Sequence, residues 1–329
     1  MRHKKLEQKN YELSRKIIEK ANIYYDKGNL DEASKLYEEA FNYFATLGDI
    51  LEYAMIKMEQ GDNDKALELI NNVIEADKDD FRGYYFKGVF YEYQEDDEEA
   101  LKHFLMTKNL LDSDKIGSDE AVIFFKIGRI YDDLSDKYKD KKDEYISLAK
   151  EYYKEALKYN PHLYYANLNL GSIYEKENSL DEALELMIRA HDDEKDEKMS
   201  AYNLGVIYAK MKDYDKAISY YEEELTKKDF YPYAYYNLGI LYKDIYKDYE
   251  KAKSCYIEGL KYLKDNSSLW YNLGCVYCFL NDFKNATDCF YYSITIKPEI
   301  FDYLEEDKET QTYVINREYQ NLKNKLKNN

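Results

Sequence analysis

The sequence predicts an all-α protein, a solenoid of about eight stacked two-helix repeats closed by a C-terminal capping helix. Three observations predict it. Small residues recur at Ala21, Ala54, Gly88, Gly128, Gly171, Gly205, Gly239 and Gly274, in steps of 33, 34, 40, 43, 34, 34 and 35. A second series, Ala33, Ala66, Ala100, Ala149, Ala183, Ala217, Ala252 and Ala286, trails the first by 12 residues, except at Ala149 (21) and Ala252 (13). Four residues after each of these alanines stands a large apolar side chain: Tyr37, Ile70, Phe104, Tyr153, Met187, Tyr221, Tyr256 and Phe290. A period of this length marks an array of supersecondary units.

Each element follows from the spacing. A repeat holds two apolar stripes at helical intervals, as in Leu170-Gly171-Ile173-Tyr174 and Ala183-Leu184-Met187-Ala190. Gly or Ala in the first helix and Ala in the second let the two approach closely, and the large residues fill the gap beside them. Turn residues such as Asp26-Lys27-Gly28-Asn29 and Glu59-Gln60-Gly61-Asp62 separate the helices. One pair cannot bury both of its faces, so the pairs stack into a continuous core and a superhelical ribbon. This repeat domain is expected over residues 1–299, with insertions near 112–118 and 132–147 that read as solvated spacers or partner-contacting protrusions. After Pro298, Tyr313, Tyr319, Leu322 and Leu326 lie at helical spacing and predict a capping helix within residues 300–329.

The last repeat carries Trp270, Leu273-Gly274, Tyr277, Ala286, Phe290 and Pro298. With these residues the chain resembles tetratricopeptide repeat proteins over residues 10–299. Repeats five to seven match through Asn169-Leu170-Gly171, Asn203-Leu204-Gly205 and Asn237-Leu238-Gly239, whereas the first two use Ala for Gly. The resemblance implies a right-handed superhelical solenoid whose first helices line a concave groove, and a scaffold or adaptor that binds an extended peptide segment or a helix of another protein there. It also implies that the residue two before each Gly faces the groove. Those residues are Asn169, Asn203, Asn237 and Asn272, a ladder that can pair with a ligand backbone through both donor and acceptor; they equally fit a solvated repeat consensus. Tyr202, Tyr236 and Tyr271, just before three of them, add aromatic area for a ligand or for inter-helix packing. Lys126, Arg129, Lys176, Lys210 and Lys243 would make the middle and C-terminal groove basic, against Glu19, Asp26, Glu52, Glu59 and Glu92 in the N-terminal half. The carboxylate clamp of some relatives is missing: its positions hold Leu168, Tyr202, Tyr236 and Tyr271, then Ser172, Val206, Ile240 and Cys275. A rival reading is a peptide-responsive regulator whose superhelix changes pitch on binding.

Composition narrows the classes. Lys and Arg number 48 against 66 Asp and Glu, a net charge of −18 that disfavours nucleic-acid binding. Only 3 prolines and 12 glycines interrupt the chain, which suits long helices, and 40 tyrosines supply large faces with polar tips. No apolar run is long enough for a membrane span, no secretory leader is recognisable at Met1–Lys20, and four cysteines do not form a disulfide framework. A cytoplasmic location is the expectation. Homo-oligomers are conceivable but not predicted.

No catalytic or cofactor chemistry is expected. There is no Gly-rich phosphate cradle and no His-Glu-x-x-His. His3, His103, His162 and His191 fall far apart in the chain. Cys275 and Cys278 form a C-x-x-C on a helix, but they flank a repeat tyrosine, and Cys255 and Cys289 sit on separate second helices, so packing rather than metal or redox use is expected.

Overall fold

A computed structural model of the chain describes residues 2–111 and 117–327, with backbone alone for residues 2–5. The chain divides into two compact units, residues 1–169 and 170–329. In the N-terminal unit α1 (Arg2–Asp26) pairs with α2 (Leu30–Phe41), α3 (Leu47–Glu59) with α4 (Asn63–Ala76), α5 (Phe81–Tyr93) with α6 (Asp97–Leu110), and α7 (Ala121–Lys137) with α8 (Lys142–Tyr159). The division falls within α9 (Tyr164–Lys176), which precedes α10 (Leu180–Asp193). The C-terminal unit continues with the pairs α11 (Ser200–Lys210) and α12 (Tyr214–Thr226), α13 (Tyr233–Ile240) and α14 (Tyr249–Leu260), and α15 (Ser267–Phe279) and α16 (Phe283–Ile296). It ends in α17 (Ile300–Glu306), α18 (Gln311–Val314) and α19 (Arg317–Lys327). No strand occurs among the described residues.

The same local chemistry is reused at successive turns. Gly28 and Gly61 adopt φ of 73° and 78°, and Glu95, Asn178, Lys212 and Asn281 take the same left-handed place in later repeats. At five of these six turns the next residue caps the second helix, Ser179 being the exception. Asn29, Asp62, Asp96, Asp213 and Asp282 each accept a hydrogen bond from the backbone N–H three residues on, which satisfies an otherwise orphaned donor.

Close approach explains the glycine series. A Cβ on Gly205 would lie 2.6 Å from the Tyr221 ring, and one on Gly239 would lie 2.2 Å from the Tyr256 ring. The aromatic ring of the second helix therefore occupies the space a side chain would need. Each unit holds more than one cluster of buried side chains. One cluster runs from Ile18 through Tyr37, Leu51, Ile56 and Ile70 to Phe90, and another joins Tyr271, Phe290, Leu304, Tyr313 and Leu322.

The insertion over 132–147 takes the form of lengthened helices: it extends α7 and α8, joined by a 3-10 turn at Lys139–Lys141. Tyr131 stacks on Tyr152, and Tyr145 meets both Tyr131 and Tyr138, so the added turns carry an aromatic seam of their own. Of the insertion near 112–118, residues 112–116 lie outside the described residues. One expectation changes: the C-terminal segment is three short helices and a 3-10 turn (Lys308–Thr310) rather than one capping helix. The Thr310 hydroxyl donates to the carbonyls of Leu304 and Asp307 and fixes the bend. The bend lets Leu304, Tyr313, Tyr319 and Leu322 all reach the core, which a single straight helix could not do.

Where Ala252 trails Gly239 by 13 residues, the extra residue is absorbed as a π-helical turn over Leu241–Tyr246. It delivers Lys243 to a buried position.

Candidate functional site

The ladder residues lie on the first helices, half-buried, with Asn169 in the N-terminal unit and Asn203, Asn237 and Asn272 in the C-terminal unit. Their amides are not all directed to solvent. Asn169 donates to the Tyr153 hydroxyl at 3.1 Å. Asn237 donates to the hydroxyls of Tyr221 at 3.1 Å and Tyr202 at 3.2 Å. Asn272 donates to the Ser268 carbonyl at 2.9 Å and also bonds Tyr236. The hydroxyls of Tyr153 and Tyr221, on second helices, each meet the asparagine sixteen positions further on, whereas the Tyr256 hydroxyl makes no bond to Asn272. Asn203 lies sixteen beyond Met187, which has no hydroxyl, and its side chain makes no hydrogen bond among the described residues. The repeating Tyr–Asn spacing was visible in the sequence, but not that it joins the two groups.

The three flanking tyrosines pack between helices. Tyr202 touches Tyr221 and Tyr231, and Tyr236 touches Tyr256. Tyr271 lies between Phe290 and Tyr303. Burial pushes all three phenols upward.

The basic groove is corrected. Lys126 and Arg129 both bind Glu92, with Lys126 at 2.6 Å. Lys210 pairs with Glu175. Lys243 contacts Glu309 at 2.6 Å and Asp244 at 3.2 Å. Only Lys176 is exposed and outside an ion pair among the described residues. Glu92–Lys126 and Glu175–Lys210 join side chains about one repeat apart, so cations and carboxylates neutralise one another along the face instead of leaving a basic stretch.

The C-terminal segment is the part sequence reasoning missed. Glu309 holds Lys243, and Asp307 accepts from the Tyr271 hydroxyl at 2.5 Å, so the end of the first-helix face is partly covered by the chain's own residues. Burial alone would pull the Lys243 ammonium down, but Glu309 and Asp244 outweigh it and hold it above the ordinary lysine value. Beside this cover a cavity of about 550 Å³ remains open. Tyr236, Lys243, Tyr271 and Asn272 line it, together with Ser268, Lys297, Tyr303 and Asp307. No periodic signal links Lys243 to Glu309.

Other reactive groups are packed away. Burial raises the Cys255 and Cys278 thiols to about 12 and the Cys275 thiol well above its usual value, so none is a thiolate near neutrality. Cys275, Asp307 and Glu309 bring one donor atom each within 4.8 Å of one another, but Glu309 is already paired with the Lys243 ammonium. His103 stacks on Tyr91, and His191 meets Tyr220 edge-on. No described helix is long and apolar enough to cross a membrane.

Tetratricopeptide repeat family models match residues 18–42, 51–109, 146–197, 200–223 and 267–300, together more than half of the chain. No curated protein matches the sequence. Among solved structures, the C-terminal part of a TPR repeat-containing protein from Cytophaga hutchinsonii aligns with TM-score 0.58 and 18% identity, over 77% of this chain and 98% of that one. Pseudomonas aeruginosa pilF aligns with TM-score 0.55 and 18% identity, over 76% of this chain and 99% of that one. Likenesses at this identity speak to the fold, which in general serves as a protein-interaction scaffold. On the matched repeats and the paired helices they encode, the chain belongs to the tetratricopeptide repeat family.

Proposed function

We propose that the protein is a non-catalytic scaffold that holds an extended segment of a partner protein on the first-helix face of its C-terminal unit. The observation that carries this reading is the cavity of about 550 Å³ in which Tyr236, Lys243, Tyr271 and Asn272 converge. It combines ring faces, an amide and charges of both signs, a set suited to a peptide backbone with a polar side chain. The Asn203 amide adds a donor and an acceptor that no described residue uses. Four free cysteines are in keeping with a reducing, cytoplasmic setting.

The test is selection of short peptides from a random library on the immobilised protein, followed by titration of the selected peptides by fluorescence anisotropy. Asn203→Ala with Asn272→Ala should weaken binding about tenfold, the loss of one to two hydrogen bonds, with the circular dichroism spectrum unchanged. Affinities within twofold of the parent protein would remove these amides, and the groove with them, from the reading.

A further inference from the structure

The first-helix face of the N-terminal unit carries its own cavity, of about 420 Å³. Tyr25, Tyr37, Met55, Ile56 and Phe86 form its apolar and aromatic wall, and Asn22, Asp26 and Glu52 are its polar lining. Every charge in that lining is therefore negative. The Tyr37 hydroxyl lies 2.8 Å from both the Glu52 carboxylate and the Asn22 amide. A hydroxyl has one proton; Asn22 Oδ1 and the Glu52 carboxylate are both acceptors for it, and the charged one is the stronger. This bond fixes Glu52 at the cavity without cancelling its charge. The Tyr25 hydroxyl donates to Glu59 in the same manner. Among the described residues neither Asp26 nor Glu52 is in an ion pair, and Arg15, whose charge Glu52 feels, is committed to Asp49.

Ring faces beside uncompensated carboxylates complement one chemistry, a cation on an apolar stem. We propose that this cavity takes a lysine or arginine side chain of a partner polypeptide. The stem lies against Met55, Ile56 and Phe86, and the cation is directed to Asp26, Glu52 and the tyrosine rings. The site is in the other unit from the groove proposed above and does not depend on it.

Methyl resonances of the methionines read this directly, because Met55 lines the cavity whereas Met187, Met199 and Met211 belong to the C-terminal unit. The probes are short peptides of alternating alanine and lysine, their arginine counterparts, and the same lysine peptides Nε-acetylated. The cationic peptides should shift the Met55 methyl saturably, leave the other three in place, and lose this effect on acetylation; a preference between lysine and arginine names the side chain. Asp26→Asn with Glu52→Gln should weaken the lysine peptide about tenfold. Phe86→Leu keeps apolar bulk but loses the ring, and should weaken it about threefold. The proposal is overturned if neither cationic peptide moves Met55, or if the acetylated peptide binds equally well. It is also overturned if Asp64→Asn with Glu75→Gln, exposed carboxylates on α4 outside the cavity, costs as much affinity, since binding would then be diffuse attraction to a chain of net charge −18.

Discussion

Glu309→Ala probes how the C-terminal segment is held on the repeats. The Lys243 side chain is 6% exposed, and its ammonium has two acceptors, Glu309 at 2.6 Å and Asp244 at 3.2 Å. Stripping a buried charge of its partner costs about 3–5 kcal/mol. Here Asp244 stays in place and Glu309 is 32% exposed, so water and the second carboxylate recover part of that cost. The expected loss is about 2 kcal/mol, in the range of one charge-assisted hydrogen bond. Lys243→Met behaves differently. An apolar stem of similar length fills the buried position, both carboxylates return to water, and the loss is about 1 kcal/mol or less. Removing the carboxylate is thus more harmful than removing the lysine, and the double variant should match Lys243→Met alone. Urea unfolding followed by Trp270 fluorescence measures this, since Trp270 is the sole tryptophan and precedes Tyr271 on α15. A Lys243→Met variant that is less stable than Glu309→Ala would refute the reasoning.

Three further outcomes are expected. Gly239→Ala should lower the calorimetric melting temperature, because a Cβ 2.2 Å from the Tyr256 ring costs about 1–3 kcal/mol of overpacking against about 1 kcal/mol gained in helix propensity; Gly171→Ala meets the adaptable Met187 side chain at 3.0 Å and Leu186 Cβ no closer than 3.4 Å, and should melt no lower than the parent protein. The Tyr256 hydroxyl is buried without a partner among the described residues, so Tyr256→Phe should be neutral or stabilising, whereas Tyr221→Phe, which loses the bond from Asn237, should lose about 1 kcal/mol in urea titrations. Burial pushes His103 down to about 4 from its usual 6.5; the unfolded chain takes up the proton first, so this contribution is complete above pH 6.5 and is lost as pH falls towards 4, and His103→Phe should flatten the urea midpoint over that window.

How far the sequence could be read depended on whether an interaction recurs. Gly205 with Tyr221 and Gly239 with Tyr256 are steric pairs at nearly constant separation, and eight copies of that constraint made the helix pairs plain before any coordinates. The segment around 132–147 stayed open between spacer and protrusion because its Asp and Lys content carries no packing pattern, while its stability as helix comes from Tyr131, Tyr138, Tyr145 and Tyr152 meeting across two elements. The asparagines were found at their positions, but the hydroxyls that engage Asn169 and Asn237 are a matter of geometry rather than spacing. The cations of the expected basic groove were read one by one, and pairing with Glu92, Glu175 and Glu309 removed most of their free charge. Lys243 and Glu309 come from parts of the chain with no shared periodicity, so that latch left no trace in the pattern.

A single inserted amino acid would ordinarily rotate everything beyond it by about 100° around a helix axis. The wide turn at Leu241–Tyr246 confines that rotation to six residues, and the capped start of α14 at Asp248 returns the chain to phase. One codon gained there re-aims one lysine and leaves every downstream repeat in step. Deleting one residue from this stretch should restore ordinary winding, swing the ammonium away from its carboxylates, and remove one attachment of the terminal segment, which Leu304, Tyr313 and Leu322 still anchor, while the array behind it stays intact. Small indels inside helices, which would wreck most folds, become in this one a local means of tightening or loosening a tail.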